Sequence, residues 1–281
     1  MISVNSIKKI AILGVGMMGG SLALSLKEKF PHFSICGYAR SGKSYRRLKK
    51  IGILDQVEKN IEKVVRNADL VILASPIYSI INYLKIISPF LKRGTIIFDL
   101  GSSKKLIHNA ARKYLPEYVN FVGCHPLCGS EKSGAHFSRS DLYQGAICLI
   151  TSSPHGPSAK IVKKIWEKVG SKVLFVDVSL HDKILSSVSH FPHLVSFSLT
   201  QFVPQNYLNF SSGSLRDLTR ISNSPAEVWA DIFLSNRENI LGDLKKFITV
   251  LSKFKSLLEE GRREKIVTAI RKVNTKQRHI L

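Results

Sequence analysis

The run Gly14-Val15-Gly16-Met17-Met18-Gly19 has the spacing with the most definite chemical meaning in the chain. A G-x-G-x-x-G segment placed directly after an apolar strand, and opening a helix, is suited to hold a pyrophosphate. Gly14 allows the tight turn, Gly16 lets the backbone approach the phosphates, and Gly19 lets helix and strand pack closely. The helix N-terminus adds free N–H groups and partial positive charge. Gly14, Gly16, Met17, Met18 and Gly19, with Ser75 after a later apolar run, are the candidate dinucleotide contacts. Glycines serving only a turn are the plain alternative, and the strand–helix context argues against it.

A fold that binds NAD usually places an acidic residue about 20 positions past the glycines, against the ribose hydroxyls. Here no acidic residue occurs between Glu28 and Asp55, while Arg40, Lys43, Arg46 and Arg47 are all cationic. A carboxylate would repel a 2′-phosphate, whereas Arg40 with Ser41 can bind one through charge-assisted hydrogen bonds. The expectation is NADP in preference to NAD; a merely basic surface loop is the alternative.

Three further segments carry reactive side chains: His125-Pro-Leu-Cys-Gly-Ser-Glu-Lys-Ser-Gly134, Ser189-His-Phe-Pro-His193, and Gly213-Ser-Leu-Arg-Asp-Leu-Thr-Arg-Ile-Ser222 followed by Trp229. Histidine titrates near neutrality and suits a proton acceptor. Arginine can grip a carboxylate with two parallel bonds. His190 and His193, three apart on a helix, face the same way. Asp182, after His181, either orients a neighbour or caps a helix.

The elements that must hold these residues are legible from periodicity. Lys9–Leu13, Ser34–Tyr38, Leu70–Ala74, Thr95–Leu100, Val119–Cys124 and Ile147–Thr151 have strand length and composition, with Lys172–Asp177 as one more. Met17–Lys29, Ser44–Ile51, Ile77–Ser88 and Ser158–Val169 lie between several of them and read as helices. Such alternation of nearly continuous apolar strands with helices predicts a parallel sheet covered on both faces. His125 then falls past a strand end, where open α/β sheets place their ligands. From Leu180 onward helical periodicity dominates; Leu241, Leu244, Ile248, Leu251 and Phe254 share a face. The fold class is an N-terminal α/β doubly wound, Rossmann-type domain over 1–178 and an all-α domain over 179–281, hinged near Val178–His181.

The length of 281 residues accommodates two domains. With 44 % hydrophobic and 22 % charged residues, composition is ordinary for a globular protein. No apolar stretch reaches the roughly 18 residues of a membrane helix, and residues 1–9 lack a signal-peptide core; the chain reads as cytoplasmic. Four cysteines, Cys36, Cys124, Cys128 and Cys148, are too few for a disulfide framework. Cys124 and Cys128 have no partner pair for a metal site, so buried free thiols are expected. The excess of 42 Lys+Arg over 20 Asp+Glu, a net +22, fits anionic ligands as well as nucleic acid. The basic residues are scattered, and no nucleic-acid or membrane partner is assigned.

Taken together and in order, the four motifs from residue 9 to about 240 resemble those of the prephenate/arogenate dehydrogenases. That resemblance implies oxidative decarboxylation of prephenate or arogenate in tyrosine biosynthesis. It gives the catalytic role to His125 and makes Ser102, in Asp99-Leu-Gly-Ser102-Ser-Lys104, the serine that orients this histidine and the nicotinamide. Ser103 stands where the family usually has an aliphatic residue. The resemblance further implies that Arg220 binds substrate, with His193, Gly213, Trp229 and Ser130 lining its site, and that the helical domain forms a homodimer. Cys128 replaces a small residue. The competing readings are another two-domain NAD(P) hydroxyacid dehydrogenase, which would place a lysine on the first helix of the second domain, and a non-enzymatic basic Rossmann protein.

Overall fold

Residues 4–129, 132 and 134–278 are described by the computed structural model. Strand β1 (Lys9–Leu13) reads KIAIL, and its side chains divide by parity. Ile10 and Ile12 enter one core, Ala11 and Leu13 the other. Strands β4 (Leu70–Leu73) and β5 (Ile96–Asp99) divide the same way: Leu70, Ile72, Ile96 and Phe98 join the first core; Val71, Leu73 and Ile97 join the second. Because both faces are covered, these strands show no polar alternation.

With β2 (Ser34–Tyr38), β3 (Gln56–Glu58) and β6 (Asn120–Val122) they form a parallel sheet in the order β3-β2-β1-β4-β5-β6. The order reverses between β1 and β4, which opens a crevice at their C-terminal ends. Helices α1 (Met17–Lys29), α2 (Gly42–Ile51), α3 (Ile61–Val65), α4 (Ile77–Ile87) and α5 (Lys105–Tyr114) are the connections. Ser41 starts α2 with a capping box shared with Ser44, and Gly52 ends it in the left-handed conformation at φ 73°.

The last strands depart from the single parallel sheet expected. β7 (Cys124–Pro126), β8 (Ile147–Ile150) and β9 (Lys172–Phe175) form a separate sheet, with β7 antiparallel to β8 and β8 parallel to β9. The chain changes sheets at Gly123, whose carbonyl accepts from the Thr151 N–H at 2.8 Å. A side chain at Gly123 would collide with Thr151 and His108, so only glycine lets the chain step across. His125 therefore stands inside a short strand rather than in a loop. Helix α6 (Pro157–Lys168) buries Trp166 against Phe98 and Tyr143.

Asp177 caps α7 (Val178–Leu185) by accepting from the Ser179 and Leu180 N–H groups. A π-helical stretch, Ser186–His190, then leads into α8 (Phe191–Phe202), followed by α9 (Gly213–Thr219) and α10 (Ala226–Ser235). One compact unit ends at Asn236 and a second begins at Arg237. The second contains α11 (Arg237–Glu260) and α12 (Arg263–Gln277), joined through Gly261 at φ 65°. Along α11, Leu241, Ile248, Leu251 and Leu258 are exposed, with Leu244 and Phe254 half-exposed. No described helix is long and apolar enough to cross a membrane.

Gly14 has φ 99°, and a Cβ there would strike the Ala74 carbonyl and Ser75. Gly14→Ala should therefore destabilise the protein by about 1–3 kcal/mol. Urea unfolding is the check; a variant as stable as the parent would show that this turn carries no conformational constraint.

Candidate active site

At the C-terminal ends of β1 and β4 lies a cleft of about 360 Å³ lined by Gly14, Val15, Gly16, Ser75 and Tyr83, with Arg40, Ser41, Ser44 and Arg47 along one side. A Cβ on Gly16 would meet nothing within 4 Å, so its backbone faces open space that a phosphate can occupy. A Cβ on Gly19 would collide with the Gly14 carbonyl, which is the close helix–strand approach its position demands. These features fit a dinucleotide. Among the described residues no carboxylate lines the cleft, and Arg40 is exposed beside it. The side chains of Met17 and Met18 turn away from it: Met17 is buried, and Met18 packs on the first core. Their carbonyls accept from Ser138 and Tyr143 respectively.

The second group of residues is organised around Asp182. Its Oδ1 accepts from His181 Nδ1 at 2.8 Å and from the Lys104 N–H at 2.7 Å; its Oδ2 accepts from the Lys105 N–H at 2.9 Å. Asp182 thus caps α5, whose own N-cap residue supplies no side-chain bond. Burial opposes the charged carboxylate, but these donors together hold its pKa below the usual value. His181 Nε2 in turn lies 2.9 Å from His125 Nδ1. An ionised Asp182 requires the proton on His181 Nδ1. Neutral His181 can then only accept at Nε2, so His125 donates from Nδ1 and keeps the lone pair on Nε2. Burial, and after it the neighbouring His181 and Lys104, hold the His125 pKa well below the ordinary histidine range. The pair is poised as a neutral base.

Behind His125, the buried Lys104 Nζ pairs with Asp99 and donates to the Cys124 carbonyl at 2.6 Å. Of the two adjacent serines, Ser103 is buried and donates to Ser235 Oγ at 2.8 Å, whereas Ser102 is half-buried. His190 is buried; Asn236 donates through Nδ2 both to His190 Nδ1 and to the Asp182 carbonyl. His193 is half-buried and stacks on Trp229, ring centroids 3.6 Å apart. Its Nδ1 donates to the Ser189 carbonyl, leaving Nε2 as acceptor. Burial, and after it the nearby Arg220, lower its pKa.

Arg220 is exposed and opens a short turn after α9. Gly213, the first residue of α9, is also exposed. Ser130 lies outside the described residues. All four cysteines are free. His181, Asn236 and Lys104 were missed as site residues in the sequence; only the adjacent His181-Asp182 pair carried a readable signal, and Asp182 orients and caps at once.

A family model described as prephenate dehydrogenase, nucleotide-binding domain, matches residues 22–175, and one described as prephenate dehydrogenase, dimerization domain, matches residues 177–272. The chain is 31 % identical to cyclohexadienyl dehydrogenase of Zymomonas mobilis, over 89 % of this chain and 88 % of that protein. It is 33 % identical to prephenate dehydrogenase of Lactococcus lactis, over 85 % of this chain and 68 % of that one. Its structure is similar to that of prephenate dehydrogenase from Aquifex aeolicus in complex with hydroxyphenyl propionate and NAD+. The TM-score is 0.89 at 31 % identity, covering 98 % of this chain and 99 % of that one.

Burial pushes both His108 and His190 down to about 4. The unfolded chain protonates these rings near 6.5, so it binds more protons than the folded state below that pH. The stability they confer as neutral groups is complete above about 6.5 and drains away as pH falls toward about 4. Thermal midpoints recorded across that window should decline steadily on acidification, with the decline shallower in His108→Gln. A flat profile would contradict the buried, neutral assignment.

Proposed function

The chain belongs to the prephenate dehydrogenase family, and from that premise we propose that it oxidatively decarboxylates prephenate or arogenate in tyrosine synthesis, as a cytoplasmic homodimer preferring NADP. The observation that carries this reading is the His125–His181–Asp182 chain, which leaves an unprotonated Nε2 on His125.

Both acids carry a ring hydroxyl on the carbon that loses hydride, opposite a ring carboxylate that departs as carbon dioxide, so the product ring is aromatic. The bound nicotinamide supplies the hydride acceptor. The chain supplies the base: His125 Nε2 takes the hydroxyl proton as the carbon is oxidised. The positive charge then arising on the His125–His181 pair is stabilised by the Asp182 carboxylate. Ser102 completes the orientation of His125. On the substrate side, the Arg220 guanidinium binds a carboxylate, His193 accepts through Nε2, and Trp229 holds His193 in place, with Gly213 lining the same site. Met17 and Met18 contribute to the cofactor site through their backbone at the start of α1.

The NADP preference rests on Arg40, Ser41, Ser44 and Arg47 along one side of the cleft, with no carboxylate among its described lining residues. A division into dinucleotide-binding residues 1–178 and helical residues 179–281 is supported by the two family models, which meet between residues 175 and 177. The homodimer is supported by the description of the second model and by the exposed Leu241, Ile248, Leu251 and Leu258 on α11.

Purified protein should reduce NADP faster than NAD with prephenate or arogenate. His125→Asn should lower kcat by about 10²–10⁴-fold, and Arg40→Ala should raise the KM for NADP more than that for NAD. Absence of turnover with all four pairs rules out the activity; equal effects of Arg40→Ala on both cofactors rule out the preference. Sedimentation equilibrium should return twice the chain mass, and a monomer at micromolar concentration would exclude the dimer.

A further inference from the structure

Lys104 has no exposed surface, yet the mechanism above does not use it. Its ammonium pairs with Asp99 at the end of β5 and donates to the carbonyl of Cys124, the residue before His125. Its backbone N–H donates to Asp182, the residue that anchors the relay. Asp99 closes the arrangement by accepting from the Cys124 N–H at 3.2 Å and the Gly101 N–H at 2.8 Å. Both ends of the base's support, the strand that carries it and the carboxylate behind its partner, therefore meet on one side chain and its own peptide.

We infer that Lys104 is a positioning residue for His125, pinning β7 through Nζ and Asp182 through its amide so that the base keeps its place and its free Nε2. The inference rests on the dehydrogenase reading for its kinetic consequence only. A buried ion pair that served stability alone could be exchanged for apolar residues with little harm. This one is tied to polar groups flanking the base, and an apolar replacement removes those ties. The titratable groups acting on the His125 ring are His181 from α7, Lys104 from the β5–α5 loop and His190 from the π-helical stretch; Asp182 stands behind His181, and the Cys148 thiol from β8 meets the His125 backbone. Among them the Lys104 ammonium disfavours an imidazolium at His125.

The test is the double variant Asp99→Asn/Lys104→Met, which removes both charges and leaves one amide oxygen, enough for one of the two N–H groups, Gly101 or Cys124, that Asp99 accepts from. With native circular dichroism, kcat should fall on the order of 10- to 100-fold, with both KM values within about twofold, since contacts that only bind are untouched. The acid limb of kcat/KM should move to higher pH. Histidine-labelled NMR, with His125 assigned by its loss in His125→Asn, should show the same upward move without turnover. Unchanged kcat and an unmoved acid limb overturn the proposal.

If the double variant does not fold, the unaltered protein decides. A slowly exchanging Lys104 ammonium signal that shifts as His125 takes up its proton, at a pH below the ordinary histidine range, upholds the proposal. A His125 that titrates within or above that range, or a Lys104 signal blind to it, overturns it. No turnover by the unaltered protein removes the dehydrogenase reading and leaves this NMR test standing.

Discussion

One carboxylate holds the candidate site together. Asp182 caps α5, fixes the tautomer of His181, and through it the lone pair on His125. Its backbone carbonyl meanwhile ties down Asn236, which bonds His190. A buried carboxylate is tolerable only with several strong donors, and two helix-terminal N–H groups and an imidazole provide them. A structural requirement of α5 and a chemical requirement of the base are met by the same two oxygens. Removing them would leave an uncapped helix end and an imidazole free to choose the wrong tautomer.

The parallel sheet was legible because its strands are covered on both faces, and KIAIL, LVIL and IIFD can be little else in an alternating chain. The glycine motif was legible because each glycine answers a separate steric demand. The break at Gly123 was not. Residues 119–124 are apolar apart from Asn120 and carry no break signal beyond Gly123, where Thr151 and His108 occupy the space beside the missing side chain. No local pattern encodes that encounter. The same holds for His181, whose partner His125 is 56 residues away, and for Lys104, whose burial against Asp99 no local pattern announces.

Arg220 marks a different boundary. The chemistry of a dicarboxylic substrate asks for an arginine, and the motif supplied one; its exposure follows from a position at the end of the short helix α9. Sequence spacing relates residues along an element, but how far an element end projects depends on the packing of its neighbours. His193 escaped this difficulty because Trp229 fixes its ring plane and Ser189 its proton.

The π-helical stretch Ser186–His190 acts on all that follows it. Each residue of a regular helix turns the chain by about 100°, and a π segment holds one residue more than the regular repeat requires. It therefore sets a rotational offset: upstream, His181 and Asp182 face the base, while downstream, His193 faces Trp229. Shortening this stretch by one residue would make a more regular helix and swing His193 about a quarter-turn away from its aromatic support. The irregularity is a phase adjustment between two halves of one site, and the length of this segment is constrained even where its side chains are free to vary.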